Sequence, residues 1–148
     1  MEKEDIVKYS HPTYLNAIRI VENGRDPLIP SSRPSRATWT KTGGLYCCLD
    51  EQTCFLETKE HIKIPEKHLI TSERPISVFD ADHYCEEKGI PKNLFYAGTT
   101  SNTLSIHELR GLGAEAVMWT SQKSDGKSLA LYVENIPDFK DVIKSERF

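Results

Sequence analysis

The chain has 148 residues, 38% of them hydrophobic and 28% charged, with a formal net charge of −3. That length holds one domain with a real core and is short for two, and the composition is that of a soluble globular protein, not a disordered one. The charge excludes a general attraction to nucleic acid or anionic membranes, so nucleic acid is not an expected partner, although Arg25, Arg33 and Arg36 lie close together.

The start, Met1-Glu2-Lys3-Glu4-Asp5, is charged, and no segment approaches the roughly 18 apolar residues that span a bilayer. A cytoplasmic protein without membrane contact is expected. Further on, Tyr14, Leu15, Ile18 and Val21 recur at helical spacing, with Gly24 placed to stop a helix. Ala17–Val21 reads equally as a strand with Arg19 on one face. Residues 25–44 form a long irregular segment broken by Pro27, Pro30 and Pro34. Loops of this length in compact domains are often functional. Leu28, Ile29 and Trp39 within it require cover.

Leu45–Leu49 is predicted to be a buried strand, and Asp50 the N-cap of a helix reaching about His61. Ile62-Lys63-Ile64-Pro65 alternates as a short strand closed by its proline, and Ile76–Asp80 alternates as a second. Asp80 or Asp82 then caps a helix ending at Gly89. Ser101 or Asn102 caps a helix through Leu112. Ala116–Thr120 and Leu129–Val133 pair across a turn marked by Asp125-Gly126. Phe139, Val142 and Ile143 suggest a short terminal helix. No repeat or linker interrupts the chain, so an α+β fold over residues 1–148 as a single domain is expected.

The four cysteines, at 47, 48, 54 and 85, have apolar neighbours and read as small buried hydrophobes. Cys47 and Cys48 are adjacent on a strand and face opposite ways, and no Cys-x-x-Cys pair exists. With histidines scattered at 11, 61, 68, 83 and 107, no metal site is expected.

The candidate site lies around Tyr46 and Glu57, eleven residues apart across a strand and a helix. A carboxylate beside a ribose stabilises the oxocarbenium-like charge that forms when a glycosidic bond breaks. A tyrosine ring stacks on nicotinamide, and an arginine holds a pyrophosphate bidentately. The chemistry these residues share is removal of nicotinamide from NAD, which needs no metal. Arg19, Arg33 and Arg36 are the possible phosphate clamps, Trp39 is a ring in irregular sequence, and Ser121 closes a strand just before a turn.

These residues resemble the RES domain family. Arg36-Ala37-Thr38-Trp39, Gly44-Leu45-Tyr46 and Glu57 look like its Arg-Trp turn, Tyr-bearing strand and following Glu. Ile76–Asp80 sits where the family has a middle strand ending in Asp. Gly113–Ser121 followed by Leu129–Tyr132 looks like its closing block. The resemblance spans roughly residues 17–135, and order and spacing carry it. It implies an ADP-ribosyltransferase-like mixed sheet with flanking helices and an NAD-degrading activity in a toxin paired with an antitoxin protein. It assigns the catalytic roles to Arg19, Tyr46, Glu57 and Ser121, and dinucleotide binding to Arg36 and Trp39. The chain departs from the pattern in having Arg36 three positions before Trp39 with no Gly ahead of it.

A rival within the same fold starts from Ser10-His11-Pro12-Thr13, which resembles the His-x-Thr opening of other ADP-ribosyltransferase groups, including the RNA 2′-phosphotransferases. There His11 bonds the ribose, residues 14–24 form a helix, and a macromolecule is modified. A catalytically inactive NAD-binding module is the reading from a different class.

Overall fold

A computed structural model of the chain describes residues 1–30, 44–92 and 106–148. Eight strands form one sheet: β1 (Ser10–Thr13), β2 (Asn16–Glu22), β3 (Leu45–Cys48), β4 (Pro65–Ser72), β5 (Ile76–Asp80), β6 (Ala116–Thr120), β7 (Lys127–Leu131) and β8 (Ile143–Arg147). Their spatial order is β1-β5-β6-β7-β3-β2-β4-β8. Only β5 and β6 run parallel; every other neighbour is antiparallel. Among the described residues the α-helices include α1 (Lys3–Tyr9), α2 (Glu51–Thr58), α3 (Ala81–Lys88), α4 (Ile106–Gly111) and α5 (Phe139–Val142). The class is α+β, and no described helix is long and apolar enough to cross a membrane.

Residues 16–22 are a strand, not a helix. β2 pairs with β4 at seven consecutive positions, Asn16↔Thr71 to Glu22↔Pro65. Ile18, Ile20 and Val21 suit a pleated surface, and that long ladder overrides the helical spacing of Tyr14 to Val21. Gly24 takes φ +90° in the turn after β2, so it serves a strand end and not a helix cap. The tract from Ile62 also differs: α2 ends at Thr58, hydrogen-bonded turns carry the chain to Ile62, and the strand opens at Pro65. Proline is compatible with a strand's first residue, where no ladder N–H is required. The terminal helix stops at Val142, because Ile143 begins β8 against Ser72 of β4.

Both faces of the sheet centre are covered. On one face Tyr9, Phe79 and Tyr84 meet edge-on or tilted, with centroids 5.1–6.2 Å apart, over Val117, Ala130 and Tyr132. On the other, Ala17, Leu45, Cys47, Ile70 and Leu129 pack beneath Phe139. A small third cluster, Ile20, Cys48 and Cys54, lies under α2. All four cysteines are free and buried, and Cys47 and Cys48 face opposite clusters as the strand period requires. Arg74 binds Asp138 through two nitrogens, at 2.7 and 2.8 Å, and Glu115 at 3.0 Å. This fork ties the approaches to β5, β6 and α5 together.

Candidate functional site

The strand-to-helix unit is built locally. After Cys48, the Asp50 carboxylate accepts the Thr53 N–H at 2.7 Å and starts α2, a cap typically worth about 0.5–2 kcal/mol. The Thr53 hydroxyl donates to Asp50 at 2.8 Å and meets Ser124 Oγ at 2.5 Å. Ser124 Oγ in turn accepts the Gly126 N–H at 2.9 Å. The start of α2 therefore grips the loop joining β6 to β7, and Glu57, further along α2, is positioned against the same loop.

Ser121 and Glu57 are brought together. Ser121 is buried, accepts the Lys123 N–H at 3.0 Å and donates its hydroxyl to Glu57 Oε1. Its own N–H is bound by the Gly126 carbonyl at 2.9 Å. Glu57 is half-buried, and its Oε2 has no hydrogen-bond partner among the described residues. Ser121 fixes Oε1.

Tyr46 is half-buried, and its ring meets Trp119 edge-on, with centroids 6.3 Å apart and planes at 87°. Trp119 and Ser121 are two residues apart at the end of β6, so the aromatic pair leads toward the Ser121–Glu57 pair. Trp119 was legible in sequence only as a strand residue; its spacing of two from Ser121 was the available signal.

Arg19 is placed differently. The β2–β3 ladder has a single register pair, Ile18↔Cys48. Ile18 and Ile20 pack with Cys48 near α2, while Ala17 packs with Cys47 on the opposite face. By alternation Arg19 leaves the sheet on the Cys47 side and the Tyr46 ring on the other. What Arg19 reaches is main chain: Nη1 donates to the Tyr46 carbonyl at 2.9 Å and Nη2 to the Ile29 carbonyl at 3.2 Å. Its Nε is buried without a hydrogen-bond partner among the described residues. Burial lowers its pKa, opposed by the neighbouring Cys47 and Cys54 sulfurs. Burial likewise pushes the Cys47 thiol up to about 12, with Arg19 opposing, so Cys47 is an inert thiol. Arg33, Arg36 and Trp39 lie outside the described residues.

His11 sits on β1 and is exposed. Three strands separate β1 from β3 in the sheet, a lateral distance of about 19 Å at the usual strand spacing. With residues 14–24 also not helical, a site combining His11 with Tyr46 and Glu57 has no geometric support. A surface groove lined by Ile20, Glu51, Phe55, Lys67 and Phe148 is a separate feature. Glu57 lies about 200° around α2 from Phe55, on the helix's other flank.

Behind Ser121, Asp82 fixes the end of β6. Asp80 is the residue that caps α3, accepting the His83 N–H at 3.1 Å, and Gly89 closes that helix at φ +67°. Asp82 instead reaches the sheet: its Oδ2 accepts Thr120 N at 2.9 Å, Thr120 Oγ1 at 2.6 Å and Lys127 Nζ at 2.7 Å. Lys92 Nζ lies 3.5 Å from Oδ1. Burial works to raise the Asp82 pKa, but the Lys127 and Thr120 hydrogen bonds and the two ammonium charges outweigh it and hold the carboxyl below its usual range. A depressed carboxyl stabilises the fold above the unfolded pKa, about 3.9, and loses that contribution as pH falls through the lower folded value. Asp82→Asn should therefore destabilise the protein by about 1.5–3 kcal/mol at pH 7. Urea melts should show the gap to wild type narrowing as the pH falls below about 4. A gap independent of pH would show that charge is not what Asp82 contributes.

No protein-family model matches the chain, and no curated protein matches its sequence. A solved structure does match: a chain in the crystal structure of the M. tuberculosis MbcT–MbcA toxin–antitoxin complex superposes with a TM-score of 0.68. The match covers 99% of this chain and 91% of that one, at 14% sequence identity. The likeness is one of fold. At that identity the shared architecture does not carry side-chain roles across, so the chemistry rests on the geometry above.

Proposed function

We propose that the protein cleaves NAD between nicotinamide and ribose, as the toxin of a toxin–antitoxin pair. The observation that carries this reading is the Ser121–Glu57 hydrogen bond beside the Tyr46–Trp119 ring pair. Support for the partner comes from the fold shared with a chain of the MbcT–MbcA complex.

In the reaction the C1′–N bond breaks, and its electron pair leaves with the nicotinamide ring nitrogen, which becomes neutral. The positive charge left on the ribose faces Glu57, whose Oε2 stabilises it while Ser121 holds Oε1. Preoriented charge of this kind acts without reorganising as the barrier is crossed. Tyr46 stacks on the departing ring, and Trp119 fixes the Tyr46 plane. An acceptor oxygen then bonds C1′ and gives up its proton. Arg19 braces the Tyr46 main chain from the sheet's opposite face and acts as a positioning residue. The resemblance assigns dinucleotide binding to Arg36 and Trp39.

The test is incubation of the purified protein with NAD, in phosphate and in phosphate-free buffer, with mass spectrometry of the products. Nicotinamide should be released, and the ADP-ribose product should identify water, phosphate or a macromolecule as acceptor. Expression of the wild type should slow growth, and a Glu57→Gln copy should not. Soluble protein that releases no nicotinamide in either buffer would end the enzymatic reading. Turnover without growth inhibition would end the toxin role alone.

A further inference from the structure

The geometry points to a divalent transition-metal site, of the zinc class, formed by His11, Asp80 and His83. These residues come from β1, the end of β5 and the first turn of α3, and sequence alone gave no reason to group them. Their ligand atoms all lie within 4.8 Å of one another. Two imidazoles and a carboxylate are the borderline nitrogen and oxygen donors that suit zinc, copper or nickel, not calcium or magnesium. Around a tetrahedral zinc such donors stand about 3.4 Å apart. His11 is exposed on the edge strand, so its ring can rotate the remaining distance without disturbing the core.

Asp80 and His83 are already oriented. Asp80 spends Oδ1 on the His83 N–H at 3.1 Å, which leaves Oδ2 to ligate. His83 Nε2 lies 3.2 Å from Glu87 Oε2. A ring donating Nε2–H to that carboxylate presents Nδ1 as its lone pair, the carboxylate–histidine pairing that fixes tautomer and basicity at zinc sites. The edge of the His83 ring is also held against Tyr9, with centroids 5.3 Å apart and planes at 79°. His11 is carried by β1 through its register with Val78 of β5, two residues before Asp80. The ion would strap the four-residue edge strand β1 to the start of α3, with its fourth position open to water.

Zinc titrated by calorimetry into the full chain should bind once per molecule. His11→Ala and His83→Ala should each weaken binding at least tenfold, and Glu87→Gln about 10- to 100-fold. Cobalt should give visible d–d absorption in the wild type that both alanine variants lose. Zinc should also raise the melting temperature of the wild type and not of the double variant, because it binds only the folded arrangement. Cooperative metal-free melts of the variants should show that they fold. Equal zinc affinity in wild type and double variant, or no binding at micromolar zinc, overturns the site.

Discussion

Glu57→Gln is expected to slow nicotinamide release roughly a hundred- to a thousandfold, about 2.7–4 kcal/mol of transition-state stabilisation. The substitution is chosen for what it keeps. Glu57 Oε1 accepts the Ser121 hydroxyl, and a glutamine carbonyl accepts the same bond in the same shape. What is lost is the charge on the half-buried side chain, and with it the stabilisation of the ribose cation. The effect should fall mainly on kcat, since the ribose charge that Glu57 stabilises forms only as the glycosidic bond stretches. Melting temperature should hardly move. Full activity in this variant would remove Glu57 from the chemistry, whatever NAD turnover the wild type shows.

The parts of the site that sequence made legible are those governed by local rules. Asp50 stands just before a helix-forming run, so its capping role follows from residue type and position, and Tyr46 and Glu57 are fixed by the unit it joins. Gly89 ends α3 because a left-handed cap favours glycine. What local rules do not carry is pairing. β8 buries Ile143 and exposes the four residues after it, so it has no alternation to read and is held by its ladder to β4. β1 contains Pro12 and is likewise an edge strand, exposed at His11, Pro12 and Thr13. β4 carries charged or polar residues at five of its eight positions and is recognisable only through its two partners.

Arg19 shows the same limit at the site itself. Its presence on a strand was one of two local readings, and the ladder to β4 decided between them. Which face it takes depends on the Ile18↔Cys48 register, a non-local fact. The result is an arginine that meets Tyr46 through a carbonyl, not beside its ring. Trp119 and Asp82 join the site region for a related reason: both act across strands or from a helix onto a strand, where sequence separation hides the contact.

Gly126→Ala is expected to lower stability by about 1–3 kcal/mol and to remove most nicotinamide release, although residue 126 carries no functional group. The cause is space, not backbone conformation, because Gly126 does not adopt a positive φ. A Cβ at this position would collide with Thr53 Oγ1 and Asp50 Oδ2 and stand 3.1 Å from Thr53 Cβ. These atoms are the capping pair of α2, so the helix cannot yield without losing its own start. The β6–β7 loop must move instead, and the loop includes Ser121, whose N–H is bound by the Gly126 carbonyl. Displacing it pulls the hydroxyl from Glu57. The two losses share one origin and respond to relief at Thr53. Thr53→Ala removes the hydroxyl that the new methyl would strike, so Gly126→Ala should cost less in that background than in the wild type. Residues in contact couple by about 0.5–3 kcal/mol in such a cycle. Strictly additive stabilities would mean that the alanine acts elsewhere, and a stable, fully active Gly126→Ala protein would mean that the grip of α2 on this loop does not position Ser121.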